Sequence, residues 1–218
     1  PLIYWTLDLV SQLKSKESVV VTGYKAKLVE DAIIDFGFQV KFARQSRQLG
    51  TAHSLKIGLS ALSSKCSNVL VLFGDDSSLY TQKTIFNFID FHIKNKNKAT
   101  AMIFNSHQAL EIGGVQKNEN GKLIKIVTRD QIEKKNLKNV VLLCGAFCFK
   151  RDWIEKYLKL IKKSSRSGEY PLPQFIEIAA KNNEFVQAFE LKNQNEWNSV
   201  NTAEELLVAE EKKRKLLI

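Results

Sequence analysis

Several short stretches of the chain carry residues that could do chemistry. In FGDD, Asp75 follows an apolar run and a glycine, which would deliver its carboxylate to the rim of a sheet. A hard cation such as magnesium takes oxygen ligands of that kind. The competing reading is that Asp75 or Asp76 caps the next helix, a job open to Ser77 and Ser78 as well. In RQSRQLGTAHSL, the Gln45 amide offers a donor and an acceptor, enough to pair at two points with the imide edge of uracil or thymine. Gln48 stands in the same polar run, Gly50 would let the backbone approach a flat ring, and Thr51 opens a helix whose first N–H groups are free. Taken alone, Gln45 reads as an exposed loop amide. Asn201, in WNSVNT, suits an oxygen ligand or a residue satisfying a helix start. Glu169 and Tyr170, in SGEYPLP, set a carboxylate beside a phenol, suited to sugar hydroxyls or to holding the turn. The histidines lack metal spacing: His53 lies in a helix start, His92 on an apolar helix face and His107 in a loop. A satisfied structural role is the reading for each, and no nucleophile–base arrangement can be drawn.

These residues need elements to position them. Ile3, Leu7 and Val10 fit a helix, VVVTG (19–23) a buried strand, and Val29, Ala32, Ile33 and Phe36 a helix closed by Gly37. An alternating strand over 38–42 precedes a helix with Leu55, Leu59 and Leu62; NVLVLFGD (68–75) then reads as an apolar strand. A helix bearing Ile85, Phe88, Ile89 and His92 leads to the strand ATAMIF (99–104). This alternation predicts right-handed crossovers and an α/β fold: a Rossmann-like mixed, mostly parallel sheet flanked by helices. From about residue 105 the rhythm changes. GGVQKNENGKLIKIV predicts a hairpin turning at NENG, and 139–150 a long strand. Asp152 can then cap a helix; a proline-bounded helix near 173–182, a strand over 185–191 and a helix from Thr202 complete the chain. Thr202 and Glu205 have capping-box spacing. Residues 1–218 thus read as a single domain with an antiparallel insertion at about 105–150. Ligands of such sheets bind beyond the carboxyl ends of strands, and QSRQLGT, GDD and SVNT all fall there.

Composition narrows the partners. The net charge of +10 comes from lysines scattered over nearly every helix, without the aromatic interleaving of a nucleic-acid surface. Solvated helix faces account for most of it, with attraction of phosphorylated small molecules as the other reading. No apolar run is long enough to span a membrane and no signal peptide opens the sequence. Cys66, Cys144 and Cys148 lack ligand spacing and read as free thiols of a reducing compartment, so the cytoplasm is expected.

Taken in order, QSRQLGTAHSL, VLVLFGD, GGVQKNENGKLIKIV, SGEYPLP and VNTAEEL resemble the sugar-nucleotidyltransferase family. The resemblance is greatest to the uridyltransferase domain of bacterial N-acetylglucosamine-1-phosphate uridyltransferases and runs from residue 1 to about 210. It implies the nucleotide-diphospho-sugar transferase fold, with a sugar-1-phosphate oxygen attacking the α-phosphate of UTP and pyrophosphate leaving. Gln45, Gly50 and Thr51, with Gln48 beside them, would line the pyrimidine; Phe73, Gly74 and Asp75 would run along the nucleotide. Asp75 and Asn201 would hold Mg2+, and Gly114 would offer a backbone amide to the sugar. A homo-oligomer stays open.

The departures from the family pattern matter as much. Its glycine-rich phosphate loop, with an arginine and the lysine that follows, would lie before residue 1 together with its first strand. The chain is therefore expected to be an N-terminally truncated form, inactive and poorly stable on its own. The family's usual sugar-contacting glutamate and asparagine are absent near Thr128 and Leu143. Asp130 could replace the glutamate and nothing replaces the asparagine, which brings hexose-1-phosphates other than N-acetylglucosamine-1-phosphate into range. Ser77 and Ser78 stand where a proline is common, and the hexapeptide repeats that often follow are not in the sequence. Two rivals stand beside this reading. One is a non-catalytic nucleotide-sugar-binding or regulatory module; the other, a cytidylyl- or molybdopterin-type transferase, is disfavoured by Gln45.

Overall fold

The computed structural model describes residues 2–13, 15–106, 109, 114–135 and 137–216. Helix α1 (Leu2–Ser11) buries Leu7 and Leu9. Strand β1 (Val19–Thr22) pairs in parallel with β2 (Lys41–Arg44), linked by α2 (Ala26–Asp35). The strand expected at 38–42 starts later because Phe38 closes α2. Gly37, at φ 77°, and Phe38 donate their N–H groups to the Ile34 and Ile33 carbonyls, a Schellman end, and the Phe38 ring packs on Tyr4 and Phe36. Helix α3 (Thr51–Ala61) leads into β3 (Asn68–Leu72), and α4 (Gln82–Lys94) into β4 (Ala99–Phe104).

The second half opens with the expected hairpin, β5 (Gly114–Lys117) and β6 (Leu123–Val127), turning at Asn118–Gly121. Then come α5 (Arg129–Lys135), β7 (Val140–Lys150) and α6 (Arg151–Leu158). Asp152 is not the cap of α6; the helix starts before it and the N-cap position is Lys150. A 3-10 turn (Leu172–Gln174) runs into α7 (Phe175–Lys181), followed by β8 (Gln187–Glu190) and α8 (Ala203–Leu216). Thr202 and Glu205 close the capping box of α8: Glu205 N donates to Thr202 Oγ1 at 3.2 Å, and Thr202 N to Glu205 Oε2 at 3.0 Å.

The fold is the mixed α/β type expected, in two hydrogen-bonded parts. The larger sheet has the order β6-β5-β7-β4-β8, with β3 joined to β7. Strands β3, β4, β5 and β8 run one way, β6 and β7 the other. Strand β7 is the hub. Its last residues pair with β3 and β4 (Leu70↔Cys148, Ala101↔Phe147), while its first residues carry β5 (Val115↔Val141). Side chains of β7 alternate between two cores. Phe147 and Phe149 meet Leu55, Trp153 and Phe175 on one face; Cys144, Ala146 and Cys148 meet Tyr80, Phe88 and Met102 on the other.

Among the described residues, no ladder joins the β1–β2 pair to this sheet, and α3 packs against both of its strands. Between β1 and β3 runs an apolar groove of about 710 Å3, lined by Val20 and Leu70 from the strands and by Leu7, Leu55 and Ile89 from α1, α3 and α4. One end of it reaches Phe73, Gly74 and Asp75. Among the described residues, no helix is long and apolar enough to cross a membrane.

Candidate active site

The rim beyond β3 is built by backbone turns. Phe73 N donates to the Gly145 carbonyl at 2.8 Å, and Asp76 and Ser77 return their N–H groups to the Phe73 carbonyl at 3.2 and 3.0 Å. Asp75 is left exposed at the edge. The capping alternative is overturned, because α4 begins only at Gln82 and is capped by Thr81, whose Oγ1 accepts from Thr84 N at 3.2 Å. Ser77 and Ser78 are buried, and Ser77 Oγ bonds Thr6 Oγ1 at 3.0 Å.

The segment before α8 meets this rim directly: Val200 N donates to the Asp75 carbonyl at 3.1 Å. Asn201 is exposed, with Nδ2 donating to Ser199 Oγ at 3.1 Å. The helix start is served by Thr202 and Glu205, so Asn201 is not needed as its cap. Among the described residues, neither the Asp75 carboxylate nor Asn201 Oδ1 accepts a hydrogen bond. Asp76, which sequence reasoning weighed only as a helix cap, adds a second carboxylate here. Burial, and then the Asp75 charge, pushes its pKa up to about 6 against a hydrogen bond from Ser199, and Asp76 Oδ1 is buried without a partner among the described residues. The doubled Asp75–Asp76 was the available signal. Gly145, at φ 58°, lets β7 pass this carboxylate, since a Cβ there would lie 2.7 Å from Asp76 Cβ.

The QSRQLGT loop is more tightly packed than its sequence suggests. Gln45 is buried, not an exposed amide. Its Nε2 lies 3.2 Å from the Gly50 carbonyl and 2.8 Å from His53 Nδ1, and its Oε1 accepts from Ser54 Oγ at 3.1 Å. Gln48 Nε2 reaches the Gln45 carbonyl at 3.4 Å and lies against Gly23. Gly50 takes φ 95°, and a Cβ there would come within 2.9 Å of Glu169 Cβ and of the Tyr170 backbone. Thr51 Oγ1 accepts from Leu172 N at 2.8 Å, while the Tyr170 backbone joins Leu49 and Ala52. Glu169 and Tyr170 therefore abut the loop assigned to the base, and the backbone there holds the turn.

Thr51, Ser54, Phe73, Gly74 and Asp75 line one groove, so the two loops converge. Phe73 is partly buried, its ring 5.6 Å from that of Phe147. Gly74 has open space around it, with no atom within 4 Å of where a Cβ would stand. Gly114 does not line that groove. It stands on β5, where a Cβ would collide with the Val141 carbonyl, so packing alone accounts for this glycine. Asp130 lies in the first turn of α5, and Leu143 is half-buried in β7.

The histidines of the described residues are structural, as expected. His53 holds Gln45; His92 is buried, bonded to Thr100 Oγ1 at 2.9 Å and pushed down to about 4 chiefly by burial. His107 lies outside the described residues. All three cysteines are free, and burial pushes the Cys144 and Cys148 thiols well up.

Among the described residues there is no group of three or more His, Cys, Asp and Glu able to hold a metal. Asp75 and Asn201 carry side-chain oxygens of the type a hard cation such as magnesium takes, and Asp76 Oδ1 lies buried without a partner among the described residues.

Residues 1–215 match the model of the nucleotidyl transferase family. The chain belongs to that family. This nucleotidyl transferase family member is 31% identical over 201 residues to the bifunctional protein GlmU of Streptococcus gordonii, covering 92% of this chain and 43% of that protein. It is 32% identical over 206 residues to GlmU of Streptococcus thermophilus, covering 94% and 44%. The chain thus spans less than half the length of the curated relatives it matches. Solved structures share the fold at low identity. HddC from Yersinia pseudotuberculosis superposes with a TM-score of 0.71 at 16% identity, over 97% of this chain and 85% of that one. A putative glucose-1-phosphate thymidylyltransferase from Bacillus anthracis superposes with a TM-score of 0.75 at 18% identity, over 98% and 82%.

Proposed function

We propose that this chain is the base- and metal-binding part of a magnesium-dependent sugar-1-phosphate nucleotidyltransferase that uses UTP. The observation that carries the reading is the 3.1 Å bond from Val200 N to the Asp75 carbonyl. It joins the backbone of the segment carrying Asn201 to that of Asp75, at the groove that Thr51, Gly74 and Asp75 line. Family membership and the GlmU relatives support nucleotidyl transfer, and the choice of UTP rests on the resemblance of the base-loop residues.

Asp75 and Asn201 would hold the Mg2+, which neutralises charge shared between the reacting phosphates. Transfer between two anions depends mainly on in-line placement and charge shielding, which accounts for a site without a histidine base. Gly74 leaves the rim open for a nucleotide to lie against the backbone. Gln45 and Gln48 shape the base side. In this structure the Gln45 amide fixes the Gly50 carbonyl, and direct pairing with an imide edge requires exchange of its bonds to His53 and Ser54. Glu169 and Tyr170 would stand beside the base loop and reach sugar hydroxyls from there. Leu143 offers no amide to an N-acetyl group, which favours a hexose-1-phosphate other than N-acetylglucosamine-1-phosphate. The place of work is the cytoplasm, without nucleic-acid or membrane partners. A second reading, a nucleotide-sugar-binding module without turnover, draws on the internally satisfied Gln45.

A substrate matrix on the full-length gene product decides between them. UTP, dTTP and CTP are crossed with several sugar-1-phosphates under Mg2+, and pyrophosphate release is followed. Turnover with UTP supports the transferase; nucleotide binding without pyrophosphate release supports the module. Asp75→Ala should lower metal-dependent turnover by about 100-fold with an unchanged circular dichroism spectrum. Activity within about threefold of the parent would remove Asp75 from the mechanism.

A further inference from the structure

We propose that Glu196 is a positioning residue for the metal-binding edge, acting by fixing the Asp75 loop against the Asn201 segment. The inference rests on the metal reading above and adds a residue that does not touch the ion. Glu196 ends the 3-10 turn Gln194–Glu196 and is only 6% exposed. Its Oε2 accepts from Thr81 N at 3.0 Å and from Thr81 Oγ1 at 2.9 Å, and its Oε1 accepts from Asn193 Nδ2 at 3.4 Å. Among the described residues no lysine or arginine forms an ion pair with it.

The nearby Lys213 ammonium attracts it without a direct ion pair, and a buried carboxylate held this way is costly to keep. Glu196 completes the cap of α4 from another segment of the chain: it accepts from Thr81 N while Thr81 Oγ1 accepts from Thr84 N. It also closes a ring. The loop from Asp75 to Thr81 and the segment from Glu196 to Asn201 are joined at one end by Val200 N on the Asp75 carbonyl. At the other end they are joined by Glu196 on Thr81. Lys213, from the helix that follows Asn201, adds a third tie by donating to the Ser78 carbonyl at 3.1 Å, with its ammonium 5.9 Å from the Trp5 ring. The two candidate ligands sit at the Val200 end of this ring. Releasing the Glu196 end frees the Asn201 segment to drift by more than the roughly 0.5 Å a ligand set tolerates.

The test uses Mn2+ as the probe and reads paramagnetic broadening of the Gly74, Asp75 and Val200 amides as the ion is titrated into the full chain. Asp75→Ala should abolish the local broadening. Glu196→Ala should raise the midpoint about 10-fold or more, the usual loss when an outer partner of a ligand is removed. Glu196→Gln keeps an acceptor for Thr81 and should return the midpoint to within about twofold of the parent. A role confined to stability would lower the melting temperature of Glu196→Ala and leave the midpoint in place, which overturns the proposal while the metal reading stands. If the parent shows no Asp75-dependent broadening, the metal reading falls and this inference with it. Should Glu196→Ala fail to fold, Thr81→Val decides. It removes the hydroxyl tie, and an unchanged midpoint in that variant also overturns the proposal.

Discussion

Glu30 links three elements through one carboxylate. Arg44 Nε donates to Oε1 at 2.9 Å, Arg44 Nη2 bonds Oε2, and Thr22 Oγ1 donates to Oε1 at 2.7 Å. The guanidinium first, and the threonine second, hold its carboxyl down to about 2 from an ordinary 4.5. Between those values the unfolded chain binds a proton that the folded one refuses, so stability falls as pH drops through the window. Above about 4.5 the contribution is fully present. Melting temperatures from pH 2.5 to 6 should therefore lose part of their slope in Glu30→Gln, and an unchanged slope would assign the acid sensitivity elsewhere. His92 acts in the same direction at higher pH. Its folded pKa of about 4 lies below the ordinary 6.5, so acid between those values favours the unfolded chain. The buried imidazole is thus a source of acid sensitivity in this protein.

At the scale of elements, the loop before α3 shows how one glycine sets a long-range contact. Gly50 adopts φ 95° while Glu169 and Tyr170 press against its Cα, so Gly50→Ala meets both backbone strain and collision. The expected loss is about 1–3 kcal/mol in urea unfolding, with the 169–172 segment displaced from Thr51. A variant as stable as the parent would show that the segment can shift at no cost. Helix ends were legible locally: the capping box of Thr202 and Glu205 and the Gly37 end of α2 are both read from neighbouring residues. The strand after Gly37 was displaced because the same motif consumes Phe38, and alternation alone does not register a residue already committed to a helix end. Gln45 escaped the reading for a related reason. Its partners Gly50, His53 and Ser54 are near in sequence, yet only the turn at Gly50 closes them around one amide.

For the whole molecule, the two-part sheet predicts uneven stability. Among the described residues, β1 and β2 pair only with each other, whereas β7 is held by β3, β4 and β5. Amide hydrogen exchange should be markedly faster at Val20 and Val21 than at Phe147 and Phe149, because a small edge unit opens without breaking the main ladder. Equal protection across both parts would mean that the molecule opens as one unit. The sequence by itself determined the α/β class, the capping box of α8, the Gly37 end of α2 and the hairpin at Asn118–Gly121, and it singled out Asp75 and Asn201 as candidate oxygen donors. Each of these rests on periodicity, turn chemistry or resemblance within a short window. The tertiary structure alone decided that β7 lies between β3 and β4, that Asp75 is spared from capping, and that Glu169 and Tyr170 lean on Gly50. Those outcomes depend on which distant backbones share hydrogen bonds and which side chains fill the space between them, and local patterns do not carry that information.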